Sequence, residues 1–277
     1  MIYRQLLQLG TESLKAAGIA EAPVDAWLLF EHVTGLDRAA YIMREEEEVR
    51  EDEKEEYRII ISKRAERVPL QYITGHQAFM GMDFKVNSSV LIPRMDTEIL
   101  VVETAKKLKE GMKVLDMCTG SGCIIISLMH LIDGITGTGS DLSKQALIVA
   151  KENAVNNRTP VNFICSDMFA QIEDEYDIIV SNPPYIPTEE INSLMPEVRD
   201  FEPVSALDGS SDGLEFYRIL ASEAPQHIKD GGWLFLEIGC EQAEDVTKLL
   251  KDAHFRDVTT VKDLAGLDRV VYGRKER

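Results

Sequence analysis

The stretch Asn182-Pro183-Pro184-Tyr185 carries the most definite chemistry in this chain. An amide or exocyclic amine nitrogen is a poor nucleophile because its lone pair is delocalised, and it attacks an electrophile better when both of its N–H bonds meet acceptors. The side-chain oxygen of Asn182 and the backbone carbonyl of Pro183 are two such acceptors. The prolines fix φ and lack an N–H, which helps aim that carbonyl outward. Tyr185 offers a ring that stacks on a planar target group and keeps water away. The tetrapeptide could also be no more than a rigid turn. Its place directly after the buried-strand pattern Tyr176-Asp177-Ile178-Ile179-Val180-Ser181 favours the chemical reading, because ligands of α/β sheets bind beyond the carboxyl ends of strands.

A second ligand signal follows an earlier strand at 114–116. Asp116 closes that strand with a carboxylate, and Cys118-Thr119-Gly120-Ser121-Gly122 leads into a helix, its glycines letting a ligand come close to the backbone. A short glycine motif is weak by itself. Asp141, 21 residues after Gly120, ends the next strand and supplies a carboxylate for ribose hydroxyls. Together they indicate an adenosine-containing cofactor, which NAD and S-adenosylmethionine both are. No third glycine stands at the spacing that holds a diphosphate, and Asp116 suits a sulfonium cation but opposes a pyrophosphate, so S-adenosylmethionine is favoured.

The elements that must position these residues alternate regularly beyond Gly111. Strands are expected at 114–116, 135–141, 161–165, 176–181 and 232–237, helices between them to 129 and at 143–156, 214–224 and 242–253, and two final strands end near Gly273. Such βα units predict a doubly wound, mainly parallel, Rossmann-like sheet with helices on both faces. Just before it, Asp96 or Thr97 caps a helix expected to reach Lys109. Within 69–92, Phe79-Met80-Gly81-Met82-Asp83-Phe84-Lys85-Val86 alternates around a glycine as a short β-hairpin does. Residues 1–67 read as helices punctuated at Gly18, Pro23 and Gly35. The division expected is therefore a helical domain at 1–67, a hairpin linker at 68–92 and an α/β domain at 93–277.

Composition narrows the classes. The chain has 277 residues, 44% of them hydrophobic, which excludes disorder as its main state. Its formal charge of −18 disfavours bulk nucleic-acid binding, which needs a basic face. Nine acids and two bases between Glu45 and Glu56 read as a solvated helix face. The four cysteines form no C-x-x-C pair and the five histidines no metal-spaced set, so neither metal nor disulfide is expected. The beginning of the chain lacks a signal-peptide layout, and the longest apolar run is too short for a bilayer, which points to the cytoplasm with no membrane contact. No heptad run is visible, and a monomer is the default.

The tetrapeptide and the motifs around it resemble those of the protein-(glutamine-N5) methyltransferases that modify peptide chain release factors, the HemK/PrmC family. The resemblance covers nearly the whole chain: Pro69-Leu70-Gln71-Tyr72-Ile73-Thr74-Gly75, Val90-Leu91-Ile92-Pro93-Arg94, Ser181 to Ile186, Glu202-Pro203 with Ala206-Leu207, Asp212-Gly213-Leu214, and Asp263 to Arg269. It implies a small helical domain, recognising the release factor, ahead of a class I methyltransferase domain. The implied acceptor is the glutamine of a Gly-Gly-Gln motif. It implies S-adenosylmethionine contacts from Asp116, Cys118, Thr119, Gly120, Ser121, Gly122, Asp141, Leu142, Asp167, Met168 and Asn182. Substrate contacts fall to Asn182, Pro183, Pro184 and Tyr185, with Asn182, Pro183 and Tyr185 catalytic. Cys118 replaces a usual glycine, which keeps close backbone approach if φ there is negative. Met168 replaces a usual aromatic beside the adenine, and Met95-Asp96 replaces a Pro-Glu pair.

Two other functions fit parts of the pattern. Adenine-N6 methylation of nucleic acid shares the tetrapeptide but wants a basic groove, and a non-catalytic adenosine-binding adaptor would leave the tetrapeptide idle. Arg94 is read either as orienting a ligand or as pairing with an acidic neighbour, and stays outside the catalytic set. The connection from Pro187 to Gly213 is unusually long and reads as a substrate flap or a solvated loop.

Overall fold

Apolar side chains at helical spacing close the amino-terminal part around one core. The helices are α1 (Tyr3–Ala16), α2 (Ala22–Thr34), α3 (Arg38–Arg44), α4 (Glu51–Ala65) and the single turn α5 (Leu70–Thr74). Leu6, Leu14, Leu29, Phe30, Tyr57 and Ile61 are buried together, and Phe30 meets the rings of Tyr3, Tyr41 and Tyr57 at 5.8, 5.5 and 5.9 Å. Of the acidic run, Glu53 turns inward, 5% exposed, to accept the Tyr3 hydroxyl at 2.9 Å.

The remaining elements, in chain order, are β1 (His76–Phe79), β2 (Met82–Lys85), α6 (Thr97–Ala105), β3 (Lys113–Met117), α7 (Cys123–Leu131), β4 (Thr136–Asp141), α8 (Lys144–Asn156), β5 (Asn162–Cys165), β6 (Tyr176–Ser181), α9 (Pro196–Arg199), α10 (Glu215–His227), β7 (Ile228–Glu237), α11 (Ala243–Asp252), β8 (Arg256–Lys262) and β9 (Asp268–Arg274). This computed structural model describes residues 1–276. Seven strands form one sheet in the order β5-β4-β3-β6-β7-β9-β8, parallel except for β9, which runs antiparallel to both neighbours. Successive side chains of a strand point to opposite faces. Leu115, Ile179 and Leu234 accordingly join α10 and α11 in one core, while Val114, Ile178 and Phe235 join α6 and α7 in the other. The order reverses between β3 and β6, which opens a crevice at their carboxyl ends.

The chain divides into two compact units, Met1–Gly75 with Met195–Phe201, and His76–Leu194 with the chain from Glu202 onward. The first boundary thus lies at Gly75 rather than 67. Residues 70–74 are helical, and Leu70 and Ile73 pack on the first core. The β1–β2 hairpin is no free linker, because Phe79 and Phe84 are buried in the second unit's core beside Leu100 and Val114. Helix α6 stops at Ala105, short of Lys109, and Asp96 caps it without a side-chain bond. Helix α10 runs on through Pro225, so β7 begins directly at Ile228.

The long connection after β6 is neither structureless nor simply solvated. It holds two 3-10 turns, Thr188–Ser193 and Val204–Ala206, with α9 between them. Glu197 of α9 accepts from Arg64 at 3.1 Å and from Arg67 at 3.2 Å, and Arg64 donates in turn to Asp25 at 2.7 Å, a buried ionic chain within the first unit.

Candidate active site

The crevice holds a cavity of about 170 Å³ walled by the loops that follow β3, β4, β5 and β6. Each loop is fixed by backbone groups that the strand ends leave free. After β3, the Thr119 N–H donates to the Ser140 carbonyl at 2.9 Å, and Gly120 donates to Asp141 Oδ2 at 2.9 Å. Asp141 also accepts the Ser143 N–H through Oδ1 at 2.8 Å, so it ties the glycine turn to β4 while facing the cavity. Each of its oxygens keeps a further lone pair for a hydroxyl. Burial pushes its pKa above the usual carboxylate range, opposed by the Ser143 and Gly120 N–H groups.

Gly122 begins α7 at φ 80°, and a Cβ there would lie 3.0 Å from Ile126 Cδ1 and 3.3 Å from Ala150 Cβ. Cys118, expected to keep a negative φ, instead lies at φ 61°. The turn enforces the glycine conformation on a residue with a side chain, at a strain of roughly 1–2 kcal/mol. Met168 behaves likewise at φ 43°, its carbonyl accepting from Ser166 Oγ at 2.7 Å. Burial raises the Cys118 thiol well above its usual pKa, with the nearby Asp141 and Asp116 adding to the effect.

Cys118, Thr119, Gly120, Ser121, Asp141, Leu142, Asp167, Met168 and Asn182 line the cavity together, as does Pro184. Asp116, Gly122, Pro183 and Tyr185 do not. Asp116 is fully buried, and its Oδ2 accepts the Thr119 hydroxyl at 2.6 Å, so it braces the turn from behind instead of facing a sulfonium. Burial pushes its pKa up to about 7. Tyr185 packs beside the core of β3 and β7. Its carbonyl accepts from Gln242 Nε2 at 2.9 Å, and burial pushes the phenol up to about 12. Gly213, at φ 72°, wraps this turn so closely that a Cβ would sit 2.3 Å from the Tyr185 carbonyl oxygen.

Asn182 directly follows β6 and is half-buried. Its Nδ2 donates to Thr97 Oγ1, the first residue of α6, at 3.3 Å. Ser181 Oγ donates to the Met117 carbonyl at 2.6 Å, which locks the end of β6 to that of β3 and brings the tetrapeptide beside the glycine turn.

Of the opposite walls only Arg94 carried an expected ligand role; Val90, Leu91, Pro93 and Thr97 on its side, and Pro203, Ser205 and Ala206 on another, were assigned none. Glu202, 4% exposed, pairs with Arg94 and accepts the Ile92 N–H at 3.3 Å, joining the two walls. Arg94 thus both lines the cavity and pairs with an acid. The signal was present in the Pro93-Arg94 and Glu202-Pro203 motifs, but nothing local tied one to the other. Among the described residues no three His, Cys, Asp or Glu side chains group as metal ligands, and no helix is long and apolar enough to cross a membrane.

Residues 5–75 match the family described as PrmC N-terminal domain, and residues 86–196 match the methyltransferase small domain. The fold resembles a methyltransferase from Pyrococcus furiosus, with a TM-score of 0.57 and 17% identity over 78% of this chain and all of that one, which is a likeness of fold alone. The chain is 40% identical over 272 residues to the release factor glutamine methyltransferase of Geobacter sulfurreducens, covering 98% of this chain and 96% of the relative. It is 40% identical over 270 residues to the enzyme of the same name from Agrobacterium fabrum, covering 95% and 93%. Matches of this identity over nearly whole lengths, on a cavity that presents Asn182 beside a glycine turn, lead to one assignment: the chain belongs to the release factor glutamine methyltransferase family.

Proposed function

We propose that the chain transfers a methyl group from S-adenosylmethionine to the side-chain amide nitrogen, N5, of the glutamine in the Gly-Gly-Gln motif of peptide chain release factors. The observation that carries this reading is that Asn182 lines the same cavity as Asp141 and the glycine turn. The cofactor, when bound, supplies an activated methyl group to the acceptor nitrogen. Asp141 has acceptor capacity left for ribose hydroxyls, and Leu142, Asp167 and Met168 form the wall beside it. Asn182 Oδ1 accepts an N–H bond of the acceptor amide at the cavity wall, Pro184 forms the adjoining wall, and Pro183, which does not line the cavity, fixes the turn between them. Tyr185 acts from behind, holding the turn through its carbonyl and packing rather than facing the cavity. Acceleration then rests on positioning and fixed dipoles. The helical unit, Met1–Gly75, is the element proposed to recognise the release factor, and the enzyme acts as a monomer in the cytoplasm.

The experiment is to incubate the protein with labelled S-adenosylmethionine and a release factor, beside a release factor whose Gly-Gly-Gln glutamine is changed to alanine, and to locate the label by mass spectrometry. The expected result is one methyl group on that glutamine and none on the variant. Label elsewhere, or on both proteins equally, refutes the acceptor.

A further inference from the structure

Glu237 ends β7 with a side chain that the amide chemistry does not use. It is 1% exposed, and its Oε2 has no hydrogen-bond partner among the described residues. A buried carboxyl group without a full set of donors is expensive to keep unless it does something. The side chains of Thr97 and Asn182 lie beside its carboxyl and favour the charged form. Thr97 is itself 2% exposed, and its Oγ1 takes the Asn182 Nδ2 donor at 3.3 Å.

The ends of an asparagine amide have nearly the same shape, so only their partners decide which end faces the cavity. A threonine hydroxyl has one proton: once Oγ1 accepts from Asn182, that proton must go to another acceptor. An ionised carboxylate only accepts. We propose that Glu237, acting through Thr97, fixes the polarity of Asn182 so that Oδ1 faces the acceptor amide, and that protonation of Glu237 reverses this order and presents Nδ2 instead. In the protonated state Glu237 donates to Thr97, the Thr97 hydroxyl donates to a turned Asn182, and the cavity meets the substrate's N–H bonds with donors. Glu237 and Thr97 are thus positioning residues, and the inference rests on the amide-methylation reading.

The charged and titratable groups around Glu237 are Asp96 beside α6, Arg269 of β9, Tyr185 after β6, Tyr217 of α10 and Cys123 of α7. Burial raises the Glu237 pKa to about 7, with Thr97, Arg269 and Asn182 opposing and Asp96 adding to the rise. The active, ionised form therefore prevails above about pH 7 and is lost below it.

The test uses the full chain with a release factor, saturating S-adenosylmethionine, and the variants Thr97→Ser, Thr97→Val and Glu237→Gln. Expected are a wild-type kcat that falls below about pH 7, a kcat roughly 10–100-fold lower in Thr97→Val with little change in the cofactor KM, and recovery of most activity in Thr97→Ser. Glu237→Gln should keep an acceptor for Thr97 yet lose the acid limb. An unchanged kcat in Thr97→Val, or an acid limb persisting in Glu237→Gln, overturns the relay. Should Thr97→Val not fold, NMR of the wild-type protein without cofactor or substrate decides. The Asn182 side-chain amide must shift with the same midpoint as the Glu237 carboxyl carbon, and independent titrations overturn the relay. That readout stands even if no glutamine is methylated, so failure of the acceptor reading and failure of the relay are separable.

Discussion

Two residues of the glycine turn show opposite demands of the same backbone. Gly122 sits at φ 80° with Ile126 and Ala150 so near that a side chain would have to push them by a few tenths of an ångström, whereas Cys118 accepts φ 61° with its side chain kept. Gly122→Ala should therefore weaken both folding and cofactor binding, since the added carbon presses on Ile126 and Ala150. Cys118→Gly should do the reverse for stability, relieving strain of about 1 kcal/mol, partly offset by glycine's greater freedom when unfolded. Calorimetry on the two variants checks this: a thermal midpoint lowered by Gly122→Ala and unchanged or raised by Cys118→Gly is expected, and a clear fall in the latter means that the thiol's packing outweighs its backbone strain. The sequence showed that Cys118 was unusual but not its φ, because the conformation is imposed by the Thr119 and Gly120 bonds to β4, and no local signal reports those bonds.

Among the elements, the parallel strands were the most legible. Val114-Leu115 and Ile178-Ile179 are continuous apolar runs because both faces of the sheet are covered, and the residues after them wall the cavity. The connection from Pro187 to Gly213 was the least legible, since its short helical pieces have little pattern of their own and are held by distant partners. Glu197 is the clearest case: its carboxylate is 12% exposed and gathers Arg64 and Arg67, more than 100 residues earlier in the chain. Glu197→Ala leaves these guanidinium groups without that acceptor and should destabilise the helical unit by about 1.5–3 kcal/mol. Urea unfolding followed by circular dichroism gives the value, and a loss under about 0.5 kcal/mol would place the pair among surface bridges that contribute little.

At the scale of the whole molecule, the buried acids set how stability responds to pH. Burial lifts Asp116 from its usual 3.8 to about 7 and Glu237 from 4.5 to about 7. Both pKa values are raised on folding, so the native state holds protons that the unfolded chain releases. This stabilisation is complete below about pH 4 and is lost as pH rises through 7. Asp116→Asn removes one of the two groups, and the drop in thermal midpoint between pH 6 and pH 8.5 should become smaller than in the wild type; an unchanged drop means that Asp116 does not take up a proton on folding.

The central claim is that Asn182 polarises the acceptor amide in a cavity shared with the methyl donor, and single-turnover methylation of a release factor by Asn182→Ala, at saturating cofactor, tests it most directly. The account predicts a rate roughly 10²–10³-fold below wild type, with the small amount of product still carrying its methyl group on the same glutamine. A variant that turns over at nearly the wild-type rate would contradict it.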